Sequence, residues 1–382
     1  MFDYLVQFIQ DKYHTCEFIP LHEPRFIGQE RDLVLSTIES TFVSSVGQYV
    51  DQFEENLASY TGSQKAIAVV NGTSALHLSM LIAGIKPGDF VITQALTFVA
   101  TCNAINYCQA EPILIDVDKK TLGLSPLALE AWLDENAYVD SDQVCKFKKS
   151  NKRIKACIPM HTFGHPVEID AIAKICNTWN LVLIEDAAES LGSLYKDVHT
   201  GTFGLMGTLS FNGNKIITTG GGGAILCGED LYIKGKHLST TAKQADNIHF
   251  FHDEIGFNYR LPNINSALGC AQLESINILV SQKRKLAQEY AELFKNSNLD
   301  FFQEPINCRS NYWLNTVICY DQNERDHLLS FMNEKKIMSR PVWTPMNQLP
   351  MFKYAISDSL QNTSWLEKRI VNIPSSPPPL LK

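Results

Sequence analysis

The feature that most constrains this chain is an alternation of texture between residues 65 and 184, where short apolar runs take turns with segments of helical spacing. Residues 65–70 (KAIAVV) read as a buried strand, and 73–83 carry apolar residues at helical intervals. The cycle then repeats: strand at 90–92, helix at 100–109, strand at 112–115, helix at 127–134, strand at 153–159, helix at 167–177, strand at 181–184. Strands alternating with helices predict βαβ units and a mainly parallel sheet. Runs with little apolar–polar alternation suit a sheet covered on both faces. The polar stretch 136–152 interrupts the series and reads as a surface insertion. Apolar stretches at 208–211 and 224–227 flank a glycine-rich turn. From about 264 the pattern changes to one long helix reaching 295, a strand candidate at 312–320, a helix at 325–335 and a proline-rich tail. That half predicts a smaller α/β unit.

Charge and cysteine usage narrow the classes. A formal net charge of −8 argues against a general nucleic-acid surface, although a local pocket of cations and helix N-termini still binds an anion in an acidic protein. The ten cysteines are scattered, none in a CxxC pair, and several lie in apolar runs, as Cys157 and Cys319 do. Reduced thiols in a cytoplasmic protein are expected, with no zinc site or other metal. The first residues lack a basic segment followed by an apolar one, so no signal peptide is expected. No apolar run approaches the ~20 residues of a membrane span.

Four segments carry chemistry. The first, Asn71-Gly72-Thr73-Ser74, joins an apolar strand to a helix. Free N–H groups at a helix start, aided by the helix dipole, make an anion site, while a plain N-cap uses the same residue types. In the second, Glu185 and Asp186 end an apolar strand, where open α/β sheets place their ligands. A carboxylate there can face a cofactor, and if it meets a pyridine nitrogen it holds that nitrogen protonated. A strand-end acid capping the next helix is the alternative, stronger for Glu185 because alternation turns the two side chains in opposite directions.

The third segment is Ser210-Phe211-Asn212-Gly213-Asn214-Lys215, with four glycines at 220–223 soon after. A lysine between turn residues and an apolar, glycine-rich stretch is partly desolvated, which favours the neutral amine and makes it a usable nucleophile. The alternative is a solvated loop lysine. In the fourth, Asn258, Tyr259 and Arg260 precede the long helix and read either as phosphate or sugar recognition or as a linker.

In this order the segments resemble the DegT/DnrJ/StrS-type nucleotide-sugar aminotransferases, a pyridoxal phosphate (PLP) family of fold type I. The resemblance spans about residues 20–377, and SFNGNKIITTGGGG and EDAAESLGS are its most specific parts. VNGTSALHL, ALTFVAT, GFNYRLPNINSALG and RPVWTP also look like the family. The resemblance implies an aspartate aminotransferase-like α/β fold. It divides the chain into an N-terminal arm (1–26), a large PLP-binding domain with the mainly parallel sheet (27–255) and a small C-terminal α/β domain (256–382). Position by position, Lys215 matches the Schiff-base lysine and Asp186 the carboxylate on the pyridine nitrogen. Gly72, Thr73, Ser74 and Ser210 match the phosphate site, and Phe98 the aromatic that stacks on the ring. Asn258 matches a phosphate ligand donated by the neighbouring subunit, which implies a homodimer with shared active sites. Glu189 falls beside the cofactor where relatives often carry Gln or His, and an anionic carboxylate there would repel the cofactor's phenolate oxygen.

Within the family, FIPLHEPRF, VSSVGQYVDQFE and IPMHTFGHP look most like enzymes that aminate C4 of a 4-keto-6-deoxy sugar, usually a UDP-linked 2-acetamido sugar, with L-glutamate as donor. Such products feed bacterial glycans of the O-antigen or bacillosamine type. GDP- or dTDP-linked keto sugars of the perosamine type are the alternative. Arg260 and Arg340 are candidates for the diphosphate. Trp343, Trp313 and Phe26 are candidates for stacking, although ordinary packing explains tryptophans as well. His161 and His165 follow a strand end and are candidates for lining the site. Three rivals remain: a sugar dehydratase, whose family members carry His in place of the lysine; a non-catalytic sensor of sugar nucleotides; and a nicotinamide dehydrogenase. The last lacks its GxGxxG, since NGTSAL follows the first strand.

Overall fold

The computed structural model describes residues 2–244 and 249–379, so the ends of the expected arm and C-terminal domain, and 245–248, lie outside the described residues. The alternation between residues 65 and 184 supplies five strands of an eight-stranded sheet. In spatial order it runs Lys65–Val69, Gly223–Cys227, Met206–Ser210, Val182–Asp186, Ile154–Ile158, Phe90–Gln94, Glu111–Ile115 and Ile356–Ser357. Only Gly223–Cys227 runs antiparallel to its neighbours; the remaining pairs are parallel. Helices α4 (Gly72–Ile82), α5 (Val99–Tyr107), α6 (Pro126–Asn136) and α7 (Ile169–Thr178) cover the sheet. Local chemistry sets their starts: Asn71 caps α4 through Ser74 N–H, and Ser125 caps α6 with Pro126 in its first turn.

Strand register brings the chemical segments to one edge. Gly223 pairs with both Ser210 and Val69, so the strand ends before Asn71 and after Leu209 lie side by side. A Cβ on Gly223 would stand 2.5 Å from the Asn71 carbonyl carbon, so only glycine permits that approach. Thr208 pairs with Asp186, which sets the acid at the same carboxyl-end edge.

Several boundaries differ from the sequence reading. The helix expected over 264–295 is two helices, α9 (Asn263–Glu274) and α10 (Ile276–Phe294), divided at Ser275. The break lets α9 pack on α2 (Glu30–Glu39) and α3 (Gln48–Thr61), while α10 turns toward α1 (Asp3–Tyr13). The stretch 136–152 is not merely superficial. It forms a hairpin, Ala137–Val139 with Cys145–Phe147, whose Phe147 is buried and stacks on Trp132. The strand expected over 312–320 shortens to Asn315–Ile318, in a second sheet with Asp300–Phe301, Ile370–Ile373 and Arg340–Pro341.

The boundaries drawn at 26 and 256 cross packed elements. Leu5, Ile9 and Tyr13 of α1 share a core with Leu286, Tyr290, Val317 and Val371, so the N-terminal helix belongs with the C-terminal sheet. Burial of each such Leu or Ile contributes about 1.5–3 kcal/mol, which makes a detached arm unfavourable. In return, Ile356–Ser357 extends the large sheet beside Glu111–Ile115. Among the described residues no helix is long and apolar enough to cross a membrane. All ten cysteines are unpaired.

Candidate active site

A cavity of about 230 Å³ opens at the carboxyl-end edge of the large sheet, bounded by Gly72, Asp186, Glu189, Ser210, Lys215 and Trp313. Thr73, Phe98 and Trp343, all singled out in the sequence, also line it. So do Met160, which sequence reasoning missed, and Asn71, Asn212 and Asn214, which the sequence placed in the chemical segments without a role of their own.

One wall is the open end of α4. Asn71 Oδ1 accepts the Ser74 N–H at 2.7 Å, and Ala75 N–H bonds to the Asn71 carbonyl. Gly72 and Thr73 therefore present the first-turn amides toward the cavity, the arrangement that receives an anion. Across from them stands Ser210, at the end of Met206–Ser210; a Cβ on Gly72 would come within 2.9 Å of the Ser210 Cβ. Ser74 is buried and does not line the cavity, because its amide is consumed by the cap.

The floor carries the acids. Asp186 is 2% exposed, and its Oδ2 accepts a 2.7 Å hydrogen bond from Thr101 Oγ1 while Oδ1 accepts the Ala188 N–H at 3.2 Å. Burial pushes its carboxyl up; Thr101, Ala188 and the charge of Lys215 pull it back. Thr101 closes the ALTFVAT segment, and nothing in the sequence tied it to Asp186, which lies 85 residues away. Glu185, as alternation requires, faces the other way. It is fully buried and accepts N–H groups from Gly201, Phe203 and Gly204, so it holds a loop in place.

Lys215 stands over this floor. Its Nζ lies 3.1 Å from Glu189 Oε1 and 4.0 Å from the Trp313 ring centroid, and its side chain is 12% exposed. Glu189 Oε2 accepts the Phe163 N–H at 2.9 Å. Burial pushes the Glu189 carboxyl up to about 7, against the opposing pull of Lys215 and Phe163. Ion pairing and burial thus act in opposite directions on this acid, and burial is the larger. Phe98 caps the mouth, half exposed and edge-on to Trp343 at 6.1 Å.

Six of the remaining sequence candidates lie off the cavity wall. His161 is fully buried; its Nε2 donates to Glu185 at 3.0 Å because Nδ1 accepts the Val167 N–H. His165 is wedged between Phe302 and Tyr312, at ring distances of 4.8 and 5.1 Å, and burial brings it down to about 3. It is therefore a neutral packing residue. Arg340 is exposed in the small sheet, and Arg260 bridges to Val69 with a buried Nε that has no partner among the described residues. Asn258 is exposed and pairs with Thr240. Phe26 is likewise exposed and away from the cavity. Among the described residues no cluster of His, Cys, Asp or Glu is arranged to hold a metal.

A buried carboxylate, a partly desolvated lysine, an open helix end and a flat aromatic in one cavity can hold an anionic heterocycle and condense an amine with it. Comparison with known proteins agrees with that reading. The model of the DegT/DnrJ/EryC1/StrS aminotransferase family matches residues 25–378. GDP-perosamine synthase of Escherichia coli O157:H7 is 35% identical over 369 residues, covering 94% of each chain. A DegT DnrJ EryC1 StrS aminotransferase from Brucella abortus superposes with a TM-score of 0.82 at 26% identity, over 91% of this chain and 90% of that one. The E. coli GDP-4-keto-6-deoxy-D-mannose-3-dehydratase with bound hydrated PLP shares the fold, with a TM-score of 0.82 at 24% identity over 94% and 96% of the two chains.

Proposed function

Because the chain belongs to the DegT/DnrJ/EryC1/StrS aminotransferase family, we propose that it moves an amino group from L-glutamate to the C4 ketone of a 4-keto-6-deoxy nucleotide sugar. It is a PLP-dependent aminotransferase, and PLP is its cofactor. The residues present fit that group. The close approach of Gly72 to Ser210 leaves a cup that a Cβ would fill, and the amides of Gly72 and Thr73 open into it for a phosphate. In this reading Ser210 completes the cup, Ser74 acts only through the cap that opens the helix end, Asp186 faces the ring nitrogen, Phe98 lies against the ring and Lys215 forms the imine. Bound there, PLP supplies a carbonyl for amines to condense with and a pyridinium that takes up an electron pair.

The observation that carries the reading is Lys215 Nζ in one cavity with Asp186 and the open end of α4. Lys215 Nζ takes the proton from the α-carbon of the donor and returns it later, as a positioned amine can. Asp186, held by Thr101 and the Ala188 amide, keeps a proton on the atom it faces. Lys215 also separates this reading from sugar dehydration, in which relatives carry His at that place.

The relatives named GDP-perosamine synthase favour a GDP-linked sugar over the UDP-linked 2-acetamido sugar expected from the sequence. Asn258 supports a homodimer with shared sites. It is exposed, off its own cavity, on a segment that also exposes Phe250, Phe251 and Ile255. In such a dimer Asn258 reaches the partner's phosphate cup. Arg260 and Arg340 remain the candidates for the diphosphate, and Trp343 for the sugar or base. His161 and His165 take no part in this reading, because both are buried off the cavity. O-antigen synthesis in the cytoplasm is the setting that such a substrate implies.

The deciding experiment incubates the purified protein with L-glutamate and a panel of GDP-, UDP- and dTDP-linked 4-keto-6-deoxy sugars. An aminated product is expected with one of them, and none with Lys215→Ala. A panel without product rejects the sugar reading. An unchanged rate in Lys215→Ala rejects the role of the lysine.

A further inference from the structure

Glu189 and Trp313 are built as a unit around the Lys215 amine. Asn311 joins their backbones: its Oδ1 accepts the Trp313 backbone N–H at 2.8 Å, and its Nδ2 donates to the Glu189 backbone carbonyl at 2.9 Å. The link is sterically fixed, because Gly164 sits at φ +93° and a Cβ there would overlap Asn311 Oδ1. The fully buried Lys283 donates to the Trp313 backbone carbonyl at 3.1 Å. In front, Trp313 Nε1–H donates to the carbonyl of Asn214, the residue before the lysine, at 2.6 Å. The indole thus grips the lysine's own peptide while its face lies 4.0 Å from Nζ. Glu189 Oε1 meets the same nitrogen at 3.1 Å, and Oε2 is pinned by Phe163.

We propose that Glu189 and Trp313 form a seat for the protonated amine of Lys215, in which Glu189 is a further catalytic residue that stabilises the proton taken up by Nζ and Trp313 is the positioning residue that holds the amine in place. The proposal rests on Lys215 as the proton-moving group. A carboxylate at the edge and an indole at the face both favour the ammonium form, and both act more strongly when partly desolvated. Nζ gains a proton and a positive charge, Glu189 keeps its negative charge, and the proton is later returned, so no further reactant is needed.

Besides Lys283, which burial holds well below its ordinary range, two other titratable groups face this pair. Asp186 lies on the neighbouring strand, and its charge also raises Glu189. His22, from the N-terminal segment, lies near Lys215 and Asn214, and burial holds it well below its ordinary range, so it adds no charge. With Glu189 pushed up to about 7, the seat carries its counter-charge above that pH and loses it below.

The test labels the full-length apoenzyme with an amine-reactive reagent across a pH series and reads Lys215 by peptide mass spectrometry. Glu189→Gln keeps an acceptor for Phe163 and removes the charge. Labelling of Lys215 at neutral pH is expected to rise about tenfold, with the curve displaced to lower pH. Trp313→Leu is expected to raise it about threefold and Trp313→Phe to leave it near wild type. Wild-type curves in both Glu189→Gln and Trp313→Leu overturn the proposal. If Glu189→Gln does not fold, equal labelling in Trp313→Leu and Trp313→Phe overturns it alone. Borohydride trapping of PLP in the wild-type holoenzyme tests the underlying reading separately, because failure to tag Lys215 there rejects the imine role without touching the labelling curves.

Discussion

Thr101 Oγ1 donates to Asp186 Oδ2 at 2.7 Å, and both side chains are buried. The bond favours the ionised carboxylate in a place where burial opposes it. Thr101→Val keeps the shape and removes the donor. A hydrogen bond to a charged group contributes about 1.5–3 kcal/mol, so PLP affinity should fall tenfold or more at neutral pH. Titration of the apoenzyme with PLP, followed by absorbance, measures it. An unchanged affinity would separate Thr101 from the function of Asp186.

Glu189 makes the apoenzyme sensitive to pH in a defined direction. Its carboxyl goes from an ordinary 4.5 to about 7 in the folded chain. Between those values the folded state binds a proton that the unfolded state has released, so this contribution is present at acid pH and is lost as pH rises through the window. Its size is on the order of 3 kcal/mol. Glu189→Gln removes the linkage. The melting temperature of wild-type apoenzyme should therefore fall relative to that of the variant between about pH 5 and about pH 7. Parallel melting curves across that range contradict the buried acid.

Much of this was legible in the residues, and the failures share a cause. The strand and helix alternation up to Asp186 reads directly from periodicity, because each element buries a face of its own. Lys215, Asp186 and Gly72 were legible because strand-end position and glycine turns are local signals. Thr101, Asn311 and Trp313 acquire their partners only when distant strands close, and no local pattern records a bond such as that from Asn311 to Glu189. The histidines at 161 and 165 misled for the same reason. A polar residue near a strand end is as compatible with a buried hydrogen bond to Glu185, or a slot between Phe302 and Tyr312, as with a cavity wall.

His165 gives a test of that correction. Both its ring nitrogens are buried without a hydrogen-bond partner among the described residues. Held at about 3 against an ordinary 6.5, the imidazole supports folding fully above about pH 6.5, and that support is lost as pH falls toward 3. His165→Phe removes the unsatisfied nitrogens, each a burden of about 1–3 kcal/mol, and the acid-side loss with them. Denaturation at about pH 5 should show a more stable variant, with turnover within about twofold of wild type. A large loss of turnover with PLP still bound would return His165 to the site.

Gly72 separates a requirement of the site from a requirement of the fold. It occupies the first position of α4, where alanine is well tolerated by helix propensity. Its φ is not in the left-handed region, so backbone strain gives no reason for glycine. What a Cβ would meet is Ser210, at 2.9 Å from its Cβ and 3.3 Å from its Oγ. Gly72→Ala should therefore fold with only a modest drop in the melting temperature of the apoenzyme, as the end of the Ser210 strand gives way, while displacing Ser210 from the proposed phosphate cup. PLP affinity is expected to fall at least about tenfold, since one misplaced charge-assisted hydrogen bond is enough for that loss. Gly223 is the contrast. A Cβ there meets the Asn71 backbone at 2.5 Å, between two paired strands that have no room to shift. Gly223→Ala should lower the melting temperature of the apoenzyme itself. If Gly72→Ala binds PLP as tightly as wild type, the cup between α4 and Ser210 is not where the phosphate sits.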